Sequence, residues 1–428
     1  MTRSELSRRR RTVLKGLGVA GTVGVGAVAS AAADGPGRGA DRGELRLLGE
    51  AETPGARQVT TQGRYAYVAT NDRGLAVIDW RNPGRPEVVA DIELPGEGIW
   101  DVKVDGDLLV ISSQWAGEDE DPAEVIGTHV VDVSDPTDPE RLSTWIELPA
   151  GIHNHYLDGE VAYLCRHVPF DDSALRILDL SDPSDPTELA EWRVEDEHPE
   201  LEHEELSVNF THDVYVQDDL AYLAYWNAGT RILDVSDPSD PVEVGAVGET
   251  EDADVQPTPE DYAERLLALP GNHHYVQPSP DGDHLYVGAE TFPGVVMDDP
   301  GREDYGPVWV YDISDLDDTE RVATILPPDV DRFRTAHNFD VTANRIHTTW
   351  YDGGIQVHDV TDPAKPEKRY RYRPEGSSFW TCDLTRSVTV ASDIGRGVVF
   401  LHADRGQRRP PAFEGAGPDS REFRPDDR

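Results

Sequence analysis

The chain of 428 residues has little lysine and no apolar run suited to cross a membrane. Lysine occurs at only four positions, whereas aspartate and glutamate together number 83 and the net charge is −44. Such an acidic chain has little with which to neutralise phosphates, which argues against a nucleic-acid partner. The one weakly apolar stretch, near the N-terminus, is too rich in glycine for a membrane span.

Several catalytic signatures are also missing. The sequence contains no nucleophile elbow, no phosphate-binding loop, no Cys-x-x-Cys pair and no His-Glu-x-x-His helix. We therefore expect no nucleotide cofactor. Acidic residues at short spacing occur in two loops, but neither loop matches an EF-hand, so a calcium site there has weak support.

The chain contains a repeated sequence motif. It is a short apolar run that ends in aspartate and, in most copies, is followed by a Ser/Thr-Asp-Pro turn. Six copies read LAVIDWRNP, THVVDVSDP, LRILDLSDP, TRILDVSDP, VWVYDISDL and IQVHDVTDP, with aspartates at Asp79, Asp132, Asp179, Asp234, Asp312 and Asp359. A fixed repeat of this kind indicates units that bury their faces by stacking on one another.

The clearest copy, His212 to Thr250, contains four strand-like runs rich in Val, Ile, Leu and Tyr. Ser236-Asp237-Pro238 predicts a turn, because Ser and Asp side chains can accept from nearby backbone N–H groups and Pro fixes its own φ. Four strands in about 40 residues are typical of a β-propeller blade. The alternative, a two-sheet sandwich, does not repeat a signature this often.

The last copy, Trp380 to His402, has no fourth strand after it, whereas the segment Glu44 to Gly55 resembles the fourth strand of another copy. We predict an all-β, seven-bladed β-propeller of four-stranded blades over residues 44–405, with the ring closed by the N-terminal strand. The blades are expected near 57–97, 98–149, 150–205, 208–250, 270–327, 335–374 and 379–405 plus 44–55. Cys165 and Cys382 then lie in blades that do not touch, which predicts no intramolecular disulfide.

The two ends of the chain have other compositions. Arg10-Arg11 before a Gly/Ala-rich stretch and small residues predicts a twin-arginine signal peptide over 1–33. We expect export to the cell exterior or surface, no stable membrane anchor and a monomer. Residues 406–428 are polar and predict a disordered tail.

Superposing the repeats aligns polar residues at the start of each innermost strand. The aligned pairs are Arg57-Gln58, Trp100-Asp101, His153-Asn154, His212-Asp213, Asn272-His273, His337-Asn338 and Trp380-Thr381, with His155 and His274 near the same level. Equivalent positions in a propeller surround the channel at one face, so these side chains should form a pocket at one channel mouth. Imidazoles in this arrangement can bind Zn, Cu or Fe, and the candidate ligands are His153, His212, His273 and His337.

Three interpretations of this pocket stay open. It can hold a metal in a binding protein, or it can serve a metal-dependent oxidase or hydrolase with Asp101 or Asp213 as general base. It can also be metal-free, with histidines that hydrogen-bond neighbouring blades in an interaction scaffold. Two insertions could cover the mouth: residues 195–205, with His198 and His203, and a short helix within Thr258–Leu269.

The repeated apolar-Asp run followed by Ser-Asp-Pro resembles the LVIVD-repeat family of secreted bacterial and archaeal propellers. The order of the segments around Trp100, His153, His212, His273, His337 and Trp380 is similar to the choice-of-anchor B branch of that family. The resemblance implies an exported or cell-surface protein without an assigned activity. We expect such a protein to bind a small molecule, a glycan or a surface protein. The acidic, lysine-poor composition resembles that of haloarchaeal proteins. A more distant similarity in fold to the selenium-binding protein/methanethiol oxidase group implies oxidase chemistry by analogy alone.

Overall fold

The structure is a computed structural model that describes residues 43–403, apart from 72, 118–119, 149–150, 167–172, 203–206 and 251–252. The predicted signal peptide (1–33), the predicted tail (406–428) and His203 lie outside the described residues. In the part of the chain that is described, no helix has the length and apolar character needed to cross a membrane.

Twenty-eight described strands form seven antiparallel sheets of four strands each, and these sheets are the seven predicted blades. Blades 1 to 3 comprise β2–β5 (Ala56–Gln62, Tyr65–Thr70, Gly74–Asp79, Glu87–Glu93), β6–β9 (Glu97–Asp105, Leu108–Trp115, Gly127–Asp132, Glu140–Ile146) and β10–β13 (Ile152–Asp158, Val161–Arg166, Ala174–Asp179, Thr187–Trp192). Blades 4 to 6 comprise β14–β17 (Asp213–Gln217, Leu220–Ala224, Thr230–Asp234, Val242–Val247), β18–β21 (His273–Pro278, His284–Ala289, Val308–Asp312, Glu320–Ile325) and β22–β25 (Phe339–Thr342, Arg345–Thr349, Ile355–Asp359, Glu367–Tyr372). Blade 7 comprises β26–β28 (Phe379–Thr385, Val388–Asp393, Gly397–Ala403) and β1 (Leu45–Glu52).

The N-terminal strand completes the last blade, as predicted. β1 pairs antiparallel with β28, from Leu45 opposite Ala403 to Glu52 opposite Gly397. The first strand of each blade contacts the first strands of both neighbours all round the ring, so these strands are innermost. Closure gives the backbone of β28 a partner and leaves no open gap in the ring. Cys165 and Cys382 are both free and buried.

The core lies between blades. The cluster that joins blades 3 and 4 contains Tyr163, Ile177, Leu223 and Leu233, all fully or almost fully buried. Middle strands are therefore buried along nearly their whole length, whereas the outermost β17 exposes alternate residues, among them Val242. Removal of these apolar faces from water is the main force that holds one blade against the next.

The repeated aspartates organise the turns after the third strands. The Ser236 N–H donates to Asp234 Oδ1 at 2.9 Å, and the Ser239 N–H donates to Asp237 Oδ1 at 3.0 Å. The side chains of the two serines also hydrogen-bond to these aspartates. Side-chain and backbone hydrogen bonds together lower the pKa of Asp234 and of Asp237. Each aspartate thus stabilises the turn that leads into the fourth strand of its blade.

Short helices occupy insertions between the strands. They are α1 (Pro122–Val125), α2 (Val194–Glu197), α3 (Tyr262–Leu267) and α4 (Pro293–Val296), with 3₁₀ turns at Pro199–Leu201 and Arg302–Asp304. The helix expected within Thr258–Leu269 begins only at Tyr262, because the Thr258 N–H donates to Asp261 Oδ1 at 2.6 Å and forms a turn before it. Trp226 Nε1 donates to the Leu266 carbonyl at 3.1 Å and ties α3 to blade 4.

Candidate metal centre at the channel mouth

One side chain from each blade meets its neighbours in a closed ring at the start of the innermost strands. Among its aromatic and imidazole members, the centroids of neighbouring side-chain rings lie between 4.0 Å (His212 to His274) and 6.1 Å (Trp100 to His153) apart. The ring consists, in order of blades, of Arg57, Trp100, His153, His212, His274, His337 and Trp380. Six of these seven positions are those aligned from the sequence.

The seventh position, in blade 5, differs from the prediction: His274 joins the ring and His273 does not. The register of β18 shifts between His273 and Tyr275, and this bulge turns His274 towards the channel. His273 instead lies between blades 4 and 5, with its Nδ1 2.8 Å from Thr230 Oγ1. Burial lowers the pKa of His273 to about 3.

Three groups of the mouth could hold a metal ion. His212, His274 and Glu290 each offer one ligand atom, and these atoms all lie within 4.8 Å of one another. Glu290 directly follows β19, and its Oε2 lies 3.4 Å from His274 Nε2. Two imidazoles and one carboxylate form a donor set found in zinc and non-haem iron sites, with coordination positions left open.

The orientation of His212 suits metal binding. Its Nδ1 lies 3.0 Å from the backbone carbonyl of His274. Nδ1 also lies 3.3 Å from Asn154 Nδ2, which is a donor, so these contacts are compatible with either tautomer of His212. In the tautomer with the proton on Nδ1, the carbonyl accepts that proton and the lone pair of Nε2 is left for a ligand. A backbone carbonyl behind the imidazole is a common support of metal-binding histidines.

Glu290 and Tyr351 form a buried acid–phenol pair beside this cluster. The hydroxyl of Tyr351 donates to Glu290 Oε1 at 2.5 Å. Burial raises the pKa of Glu290 to about 8, although the hydrogen bond from Tyr351 opposes the shift. The cluster therefore lies in surroundings that exclude water and disfavour a bare carboxylate, which a bound cation would stabilise.

His153 and His337 flank the cluster. His153 Nδ1 lies 3.1 Å from Gln114 Oε1, which also accepts from Trp100 Nε1 at 2.9 Å. His337 Nε2 lies 3.9 Å from Glu290 Oε1. Burial lowers the pKa of His337 to about 3, so its imidazole is neutral at physiological pH. Both predicted ligands are thus near the three-residue cluster without belonging to it.

Aromatic rings close the opposite half of the mouth. Trp100 and Trp380 stack with centroids 5.6 Å apart and planes inclined by 13°. The guanidinium carbon of Arg57 lies 5.2 Å from one indole ring and 5.0 Å from the other. The mouth is therefore asymmetric, with imidazoles on one side and a cation between two indoles on the other.

His155 and Asp101 join blades instead of facing the mouth. His155 Nε2 lies 3.0 Å from the Val110 carbonyl, and its Nδ1 lies 3.1 Å from Ser112 Oγ. The carboxylate of Asp101 accepts the His155 backbone N–H at 2.9 Å and forms an ion pair with Lys103. Burial opposes ionisation of Asp101, but Lys103 and His155 lower its pKa overall. Its oxygens are engaged in these contacts, so Asp101 has little freedom to act as a general base.

The remaining predicted pocket residues also form contacts within the protein. Asn154 Nδ2 donates to Asp213 Oδ2 at 3.0 Å, and Asn338 Nδ2 donates to Gln58 Oε1 at 3.0 Å. Burial raises the pKa of Asp213 well above its usual value. Asn272 donates to a carbonyl of α3 and so supports the loop that leads to His274.

In the acidic insertion, His198 lies away from the mouth. His198 Nε2 lies 3.1 Å from Glu243 on the outermost strand β17, which places it at the outer edge of blade 4 and not over the mouth. Sequence alignment missed Glu290 and Tyr351 because they follow the second strands of their blades. The available cue was their position, because Glu290 is the first residue after β19 and Tyr351 is the second residue after β23.

Known proteins support the fold. The family model of the LVIVD repeat matches residues 55–92, 163–193 and 210–248. No curated protein matches the chain. The β-propeller domain of Myceliophteria thermophila Cps50 (Swd1) is similar with a TM-score of 0.54 and 10% identity, over 83% of this chain and 98% of that one. The computationally designed Ika8 protein is similar with a TM-score of 0.51 and 8% identity, over 85% of this chain and 100% of that one. At these identities the structures establish the fold alone, and the chain is a seven-bladed β-propeller that carries LVIVD repeats.

Proposed function

We propose that this protein is an exported binding propeller that holds a transition metal at its channel mouth, with His212, His274 and Glu290 as ligands. The observation that carries the proposal is the convergence of three ligand atoms within 4.8 Å in a buried site. The backbone carbonyl of His274 supports it, because it lies 3.0 Å from Nδ1 of His212 and can orient the imidazole. Zinc and iron fit this donor set, and copper fits its imidazoles.

The context of the site supports a role outside the cell. Arg10-Arg11 at the start of the chain favours twin-arginine export, and the LVIVD repeats fit a binding or scaffold role. The order of mouth residues favours the choice-of-anchor B branch, and the acidic composition favours a haloarchaeal source. The partner in this proposal is a small molecule, a glycan or a surface protein, bound by a monomer.

A metal-dependent enzyme is the second candidate function. Two imidazoles and one carboxylate leave coordination positions open, which a catalytic site needs and a structural site does not. The metal would supply Lewis-acid or redox chemistry there. Tyr351 would orient Glu290 through its hydroxyl, and its ring would shield the carboxylate from water.

The test compares two adjacent histidines. The full chain, expressed in high salt, is purified as wild type, His274→Ala and His273→Ala, and bound metals are measured by elemental analysis. We expect near-stoichiometric transition metal in the wild type, its loss in His274→Ala and its retention in His273→Ala, whose imidazole faces Thr230. Equal retention in both variants, or no metal in the wild type after incubation with zinc, iron and copper salts, would refute the proposal.

A further inference from the structure

Arg334 is a buried cation without a carboxylate partner among the described residues. Its side chain is only 8% exposed, and its Nε makes no hydrogen bond to the described residues. Its guanidinium carbon lies 4.7 Å from the ring centre of Tyr305. Arginine is seldom this buried unless it is paired, because an uncompensated buried charge is costly.

Three other arginines with little exposure, Arg166, Arg176 and Arg231, do have carboxylate partners. Arg166 Nε lies 3.1 Å from Glu147 Oε1, and Arg176 Nε lies 2.8 Å from Glu147 Oε2. Arg231 pairs with Glu243 and, at 2.8 Å, with Glu249. In a chain with 83 acidic residues, a carboxylate beside Arg334 would be easy to supply. The described residues supply none, so the charge of Arg334 is available to an anionic ligand.

The neighbours of Arg334 connect it to the channel mouth. Phe333 lies 4.8 Å from the ring of Tyr351, the phenol that binds Glu290. Phe333 also stacks on Phe292, with centroids 5.5 Å apart. Phe292, Tyr305 and Phe333 are each only half-buried, so the aromatic group beside Arg334 is partly open to solvent.

We propose that Arg334 binds the carboxylate of an organic acid whose planar, apolar body packs on Phe333 and Tyr305. A guanidinium presents its donors in a fork that matches a carboxylate, and the flanking aromatic rings offer stacking surfaces to a planar group. Ligand sites typically combine apolar and aromatic walls with a few placed polar groups. This binding requires no metal, so it is independent of the site at His212, His274 and Glu290.

The probe is benzoate, titrated by calorimetry into chelator-treated protein in high salt, beside acetate, benzyl alcohol and inorganic phosphate. We expect benzoate to bind at least about tenfold more tightly than acetate, which lacks the ring, or benzyl alcohol, which lacks the charge. Arg334→Gln should weaken benzoate binding by about tenfold or more, and Arg334→Lys should restore part of it. Phe333→Leu should reduce the difference in affinity between benzoate and acetate, because it removes an aromatic surface on which the benzoate ring packs. The matched control is Arg332→Gln, an exposed arginine two residues away, which should leave binding unchanged.

A second readout separates a ligand role from a structural one. Without ligand, Arg334→Gln should unfold at the same temperature as the wild type or higher, because it removes an uncompensated buried charge. The proposal is overturned if benzoate binds no more tightly than benzyl alcohol, or if Arg334→Gln binds it as the wild type does. Tighter binding of phosphate than of benzoate would overturn the organic acid as ligand. A large loss of stability in unliganded Arg334→Gln would make Arg334 a structural residue.

Discussion

The ion pair between Asp101 and Lys103 offers a quantitative test of how much a buried charge pair within the innermost strand β6 stabilises the fold. Asp101 is 2% exposed and also accepts N–H bonds from Val102 and His155, which links blade 2 to blade 3. Asp101→Asn would leave the Lys103 ammonium without its partner. Breaking a fully buried pair costs about 3–5 kcal/mol, and Lys103 is 15% exposed, so we expect a loss of about 3 kcal/mol in the free energy of unfolding.

A double-mutant cycle separates this pair from its surroundings. Lys103→Met should also destabilise, but less, because Asp101 keeps its two backbone donors. The double variant should lose less than the sum of the single losses, with a coupling of about 2 kcal/mol. The exposed pair of Arg73 and Asp91 is the matched control, and Asp91→Asn should cost under about 1 kcal/mol.

Urea unfolding followed by tryptophan fluorescence at constant salt gives these free energies from the transition midpoints. Additive losses in the cycle would contradict a direct charge interaction between Asp101 and Lys103. A loss below about 0.5 kcal/mol for Asp101→Asn would refute the argument that the buried charge pair of Asp101 and Lys103 stabilises the fold.

Two further predictions concern acid stability and ring closure. Burial chiefly, with Arg141, lowers the pKa of His129 from 6.5 to about 4. The unfolded chain therefore takes up a proton between pH 6.5 and 4 while the folded chain does not, so stability falls as the pH falls through this range. In His129→Gln that fall should be smaller by about 3 kcal/mol, measured by urea unfolding at both pH values; an unchanged pH profile would contradict a neutral buried His129. Deletion of Leu45–Glu52 should leave β28 with an unpaired edge and cause aggregation, measured by size-exclusion chromatography. A monomeric deletion variant with native circular dichroism would show that closure by β1 is dispensable.

The fold can be predicted from the sequence because each repeat contains the residues that determine the strands and turns of its own blade. Each copy repeats the apolar run, the strand lengths and the kind of turn that Asp234 forms. The structure inferred for one blade therefore applies to the others. Closure of the ring could be predicted because the seventh copy of the repeat lacks a fourth strand. The segment Glu44–Gly55 supplies that strand.

The candidate site was less predictable because its geometry depends on local irregularities. The bulge in β18 exchanges His273 for His274, and two adjacent histidines in a sequence give no sign of which one faces the channel. Glu290 and Tyr351 come from the ends of second strands, so they do not align with the histidines of the first strands. Their contribution depends on burial and on a contact between blades 5 and 6, which only the folded ring provides.

The pairing of β1 with β28 also shapes how the protein folds. The hydrogen bonds from Leu45 to Ala403 join residues from opposite ends of the described chain. During synthesis β1 has no partner until the residues of β28, up to Ala403, have been made, whereas the strands of the intervening blades can pair locally. Such non-local contacts slow folding, so we infer that docking of β1 is the last and slowest step and that nascent chains expose an unpaired strand until it occurs.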